Sequence, residues 1–154
     1  MAKTAEKKCE IAKRIRDIAL RDFKLRDEDL IFDLLTFTLG SGDDELRRAG
    51  VETLDAIRKI KAEFPGCHTS LGVSNISFGL APHSRNVLNS VFLHYAIEAG
   101  LDMAIVHASK IVPLHRIDER GRELARELIF DERRWEAEAE RERTQQETIT
   151  ERTI

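Results

Sequence analysis

Leu71-Gly72-Val73-Ser74-Asn75-Ile76-Ser77-Phe78-Gly79-Leu80 runs from apolar residues straight into small and polar ones, with one side-chain amide, Asn75, at the changeover. With the residues before it, this run reads as a strand over roughly 68–76, followed by a turn through Gly79 and Pro82. Where parallel strands form a barrel, ligands and catalytic groups gather at the C-terminal strand ends. Asn75 stands at such an end.

Upstream, Leu30-Ile31-Phe32 and Leu34-Leu35 make a second apolar run, broken only by Asp33, which reads as a buried strand. Downstream, Met103-Ala104-Ile105-Val106 reads as a third. Between and around them the apolar spacing becomes helical. Residues 4–20 place Ile11, Ile15 and Ile18 on one face. Leu54, Ile57, Ile60 and Phe64 mark a helix that Ser41 or Asp43 is placed to cap and Pro65-Gly66 ends. Leu88, Val91, Phe92, Tyr95 and Ala99 mark another, stopped by Gly100. After Pro113, residues 118–130 form a last amphipathic helix using Leu124, Leu128 and Ile129. The order αβαβαβα predicts an α/β fold, a parallel sheet with right-handed crossovers and helices outside. The domain is expected to occupy residues 1–131. The charged stretch 132–154 reads either as a linker towards another domain or as a solvated helix ending in a disordered tail.

Charged residues make up 34 % and hydrophobic ones 42 %, an ordinary balance for a folded domain of 154 residues. The net charge of −3 gives no reason to expect nucleic acid or an anionic membrane as a partner. No run approaches the roughly 18 apolar residues of a membrane span. The first eight residues lack the apolar core of a secretory signal, so a cytoplasmic location is expected. Cys9 and Cys67 lie far apart, outside any C-x-x-C or Cys/His cluster. They read as reduced, unpaired thiols, and no metal site is expected within the chain.

Three polar residues at strand ends are candidates for chemistry. Asp33 interrupts an apolar strand, and a buried carboxylate needs hydrogen-bond partners or a ligand. A backbone-satisfied structural role and a ligand-binding one both fit. Asn75 offers a donor and an acceptor to a heterocyclic nitrogen, or it bonds its own turn. His107 directly follows the third strand, as either a satisfied structural group or a site residue. Lys110 beyond it reads as solvated, and His68 belongs to the opposite end of its strand. Gly40-Ser41-Gly42 is too short for a phosphate loop, and neither G-x-S-x-G nor D-x-H-x-x-G occurs.

The runs "EDLIFDLLTFTLGSG", "LGVSNISFGL" and "GLDMAIVHASKIVPL" together resemble the sixth, seventh and eighth strands of the pterin-binding barrel of cobalamin-dependent methionine synthases. "MAKTAEKKCEIAKRI" resembles the segment that opens the fifth helix of that barrel, and Met1 an interior methionine of a longer protein. The S-N-x-S-F-G run is shared with other pterin-barrel methyltransferases, while the Ser-Arg-Lys motif of dihydropteroate synthases is absent. The resemblance implies a partial TIM-type (β/α) barrel comprising about the last three βα units. It implies methyl transfer from 5-methyltetrahydrofolate to cob(I)alamin, the cobalamin being carried by a separate domain or corrinoid protein. Asp33 maps to an acidic pterin contact, Asn75 to the asparagine near pterin N5, and His107 to the barrel mouth. Leu34 replaces the proline many members carry after that acidic residue, and His107 replaces Asn or Asp. Strands one to five of such a barrel have no counterpart here. The alternatives are a non-catalytic or split half-barrel module that assembles with itself or with a separate N-terminal half, or a related corrinoid-protein methyltransferase.

Overall fold

The computed structural model describes residues 1–41 and 43–132. Its elements follow the order α1 (Ala5–Phe23), β1 (Ile31–Asp33), α2 (Ala49–Glu63), β2 (His68–Gly72), α3 (Pro82–Glu98), β3 (Met103–Ile105) and α4 (Glu119–Phe130), with short 3-10 turns between them. The three strands are parallel and lie in the order β1-β2-β3. The charged stretch from residue 133 onward lies outside the described residues.

Local chemistry sets the helix ends. Thr4 caps α1 by accepting the Lys7 N–H, and the helix stops where Lys24 turns left-handed at φ 57°. Asp118 caps α4 by accepting the Gly121 N–H at 2.8 Å. Pro82 opens α3, where its missing N–H costs nothing. The cap expected for α2 falls elsewhere: Asp43 accepts the Glu45 N–H and caps a 3-10 turn, Asp44–Leu46, three residues before the helix begins.

Successive strand residues point to opposite faces of a sheet. The register pairs Phe32 with Thr69 and Leu71 with Ala104, which puts those four on one face. Thr69 and Leu71 are fully buried there, with Leu54, Ile57 and Ile60 of α2 and Phe92 of α3 in the same buried core. α2 is the hub of the helical layer and touches α1, α3 and α4.

The opposite face is open. Ile31 is 58 % exposed and Ile105 68 %. Strand β1 is therefore not the buried strand its apolar run predicts, and β3 is uncovered as well. Each lies at a sheet edge: β1 buries only Phe32, and all three residues of β3 are exposed. The apolar stripe expected to bury α1 behaves likewise, Ile15 being 48 % exposed with Ile11 and Ile18 close behind. α1 packs instead through Ala5, Cys9, Ala12 and Ala19, whose small side chains let it lie close to α2, and through the buried Lys8. In α4, Ile129 and Ala125 are buried while Leu124 and Leu128 face solvent. Both cysteines are free and buried. Among the described residues no helix is long and apolar enough to cross a membrane.

At the N-terminal end of the sheet, Asp102 ties three elements together. Its carboxylate accepts the Thr69 N–H at 2.8 Å, the Thr69 hydroxyl at 3.1 Å and the Lys61 ammonium at 3.0 Å. Partial burial pushes the Asp102 carboxyl up, but the bonds from Lys61 and Thr69 together hold it below its ordinary value. Asp102→Ala strands a buried amide and is expected to cost about 1–3 kcal/mol in urea unfolding. Because folding lowers this carboxyl, its contribution is present above the unfolded value of about 3.9 and is lost as pH falls through the folded one. Acid titration of the variant's stability should accordingly show a shallower decline below about pH 4 than the parent's.

Candidate functional site

β2 is shorter than its sequence suggests. It ends at Gly72, and Val73–Ser77 wind into a 3-10 turn. The strand stops there because Val73 and Ile76 both drop into the core, fully buried, which an extended chain would deny to one of an odd-spaced pair. The turn leaves Asn75 exposed above the strand end. Its amide folds back over Gly72: a Cβ there would come within 3.3 Å of Asn75 Nδ2. Among the described residues no hydrogen bond engages that amide, so it does not serve its own turn in the manner expected of a turn-forming asparagine.

The turn is held by others. The Ser77 hydroxyl donates to the Ser74 carbonyl at 3.1 Å. Arg85, from the first turn of α3, donates to the Ser77 hydroxyl and, at 3.2 Å, to the same carbonyl. The loop after β1 braces the other side, with the Leu39 N–H on the Ile76 carbonyl at 2.9 Å and the Thr38 hydroxyl on the Phe78 carbonyl at 2.7 Å. Gly40 permits this approach, since a Cβ on it would lie 2.5 Å from the Phe78 carbonyl oxygen.

Asn75 and His107 meet across an open concavity of about 790 Å³, floored by Gly72 and Ile105 at the paired ends of β2 and β3. His107 is exposed, and its Nδ1 lies 3.1 Å from the Ser109 hydroxyl. Behind it, a cavity of about 350 Å³ shares Ser74 and His107 and adds Arg85, Asn89 and Lys110. Lys110 thus borders a cavity rather than only bulk water.

Asp33 does not line the concavity. It ends β1 on the open face of the sheet, beside Ser70 and one strand away from Asn75. It is exposed, not buried, so the penalty expected for a carboxylate inside an apolar strand does not arise. Its Oδ1 accepts the Leu35 N–H at 2.9 Å. The structure therefore brings Asn75 and His107 together and leaves Asp33 on the same sheet end, apart from them. Among the described residues no group of three or more His, Cys, Asp or Glu side chains is placed to hold a metal ion.

Two contributors escaped the sequence reading. Arg85 clamps the Asn75 turn, although its place in a polar helix start looks like ordinary solvation. Lys8 is only 5 % exposed and donates to the Leu35 carbonyl at 2.8 Å and to the Thr53 hydroxyl at 2.9 Å. Its signal was available, because it shares a helix face with Ala5 and Ala12, a face too lean to be solvated.

Residues 1–107 match the family of pterin binding enzymes. Over 133 residues the chain is 52 % identical to a methionine synthase of Mycobacterium tuberculosis, and 51 % to one of Mycobacterium leprae. Each alignment covers 86 % of this chain and 11 % of the relative, so the chain spans about a ninth of their length.

The bracing of the turn is open to test at Gly40. Gly40→Ala drives a methyl group against the Phe78 carbonyl and should destabilise the fold by about 1–3 kcal/mol in chemical denaturation. Hydrogen exchange at the Leu39 amide is expected to quicken in the same variant, while amides of α4 keep their protection.

Proposed function

The chain belongs to the family of pterin binding enzymes, and from that premise we propose that it is the pterin-contacting part of a methionine-synthase-type methyltransferase. The substrate is 5-methyltetrahydrofolate, and cobalamin on a separate domain supplies the nucleophile that accepts the methyl group. The observation that carries the reading is Asn75, an unpaired amide held over the strand end by a turn that other residues brace.

N5 of the pterin is a poor leaving group until it gains a proton or a strong hydrogen bond. An amide already held in place supplies that bond as the methyl departs, with little reorganisation. Asp33 offers its second carboxylate oxygen to the pterin ring N–H groups, its first being taken by Leu35. His107 borders the same mouth and can contact the substrate's edge.

The open sheet face supports the barrel part of the proposal. Ile31, Asp33, Ser70, Gly72, Met103 and Ile105 share it by register. A closed barrel fills its interior with side chains in that orientation. Such a barrel takes eight strands, and the described residues supply three. On this reading the covering partner is the rest of the barrel, and the expected domain, residues 1–131, is its C-terminal part. The same exposed face favours a second reading, a split or non-catalytic half-barrel that pairs with itself. Sedimentation of the purified chain separates them: a discrete dimer supports self-pairing, and a monomer that recruits an N-terminal half supports the barrel.

Asn75→Ala, made in a polypeptide carrying all eight strands, should slow methyl transfer by about 10²–10³-fold, the usual worth of one preorganised donor. Its unfolding midpoint should stay near the parent's. Equal single-turnover rates in the two proteins would remove Asn75 from the mechanism.

A further inference from the structure

Lys8 is the most deeply buried charged group among the described residues, and nothing in the methyl-transfer chemistry calls for it. It projects from the first turns of α1 towards the end of β1. One N–H goes to the Thr53 hydroxyl of α2 and one to the Leu35 carbonyl, and the ammonium stands 5.6 Å from the centre of the Phe37 ring. A structural brace alone would not need the charge. Burying an ammonium is costly, and a methionine of similar length would fill the space.

The residue Lys8 grips is itself unusual. Leu35 has φ 50°, a left-handed backbone that costs a non-glycine residue roughly 1–2 kcal/mol. In that conformation its carbonyl reaches Lys8 while its N–H reaches Asp33 Oδ1 at 2.9 Å. Lys8, Leu35 and Asp33 thus form a relay. The buried amine holds a strained turn residue, and that residue's N–H fixes one oxygen of the carboxylate.

We propose that Lys8 is a positioning residue for the pterin site, setting the orientation of Asp33 through the left-handed Leu35 turn. The proposal rests on the assignment of Asp33 as a pterin contact. It also makes the site responsive to pH. Burial pushes the Lys8 ammonium down to about 8, partly offset by the Glu52 carboxylate of α2, the Asp33 carboxylate of β1 and Cys9 on its own helix. Glu52 is engaged in turn by the Ala5 N–H at 2.7 Å. Below about pH 8 Lys8 carries the charge that attracts the Asp33 carboxylate; above it the attraction fades while a neutral amine still donates to Leu35.

The ligand-free test is an NMR titration of the chain, following the Leu35 amide and the Asp33 carboxyl carbon from pH 6.5 to 9.5. Both should shift with a midpoint near 8 in the parent. The step should vanish in Lys8→Met, and also in Lys8→Gln, which keeps a neutral donor and guards against simple misfolding. Resonances that ignore this pH range in a folded parent, or that step identically in both variants, overturn the proposal. The second arm measures 5-methyltetrahydrofolate affinity in the eight-stranded polypeptide. Affinity should fall roughly tenfold, about 1.4 kcal/mol, between pH 7 and 9 in the parent and be pH-flat and weaker in Lys8→Gln. Retained parental affinity and pH profile in Lys8→Gln also overturns it. A parent that binds no pterin at all removes the functional reading and with it the positioning role, while the ligand-free step still decides whether the relay exists.

Discussion

A strand can bury only every second side chain beneath a layer of helices, and this constraint organises the whole chain. In β2 the buried set is Thr69 and Leu71, buried together with the core side chains of α2 and α3. Parallel register then commits the neighbours: Phe32 must join the buried face, and Ile31, Asp33 and Ile105 must take the other. A one-residue slip of β1 would place the Asp33 carboxylate under the helices, and a slip of β3 would turn Ile105 towards them. Asp102 holds the β2–β3 register at one end of the sheet, where a single carboxylate accepts from β2 and α2 immediately before β3 begins.

The other sheet end is where this regularity is spent. Asn75, His107 and Asp33 all follow or close a strand, and each is fixed by a different device. Asn75 rides a 3-10 turn pinned by Arg85 and by the loop after β1. His107 leans on Ser109. Asp33 is tied through a left-handed leucine to a lysine buried between α1 and α2. Rigid supports of this kind suit electrostatic catalysis, in which a donor contributes only as far as it is already aimed when charge develops.

The similarity to methionine synthases covers 86 % of the chain and 11 % of those relatives, and one face of the sheet is open. Apolar side chains such as Ile105 are oriented as the lining of a closed barrel would be, with nothing among the described residues to cover them. The outward isoleucines of α1 show the same property on the helical layer.

Much of this was legible in the residues alone. The αβαβαβα order, the approximate placing of every helix and the position of Asn75 at a strand end follow from apolar spacing and from Gly and Pro punctuation, which are local signals. So does the S-N-x-S-F-G run on which the family resemblance rests. What spacing could not reveal was which apolar residues find a partner. Ile15 and Ile105 are as apolar as Ile57, yet only Ile57 has a second layer above it. Nor could it show that β2 ends at Gly72, that Arg85 clamps the turn, or that Lys8 lies buried on the lean face of α1 with Asp33 at the far end of its bonds. Those contacts join residues 8 and 35, or 74 and 85, and depend on how packed elements meet. Local patterning sets each element's period; only tertiary packing decides which face is covered and where each polar group finds its partner.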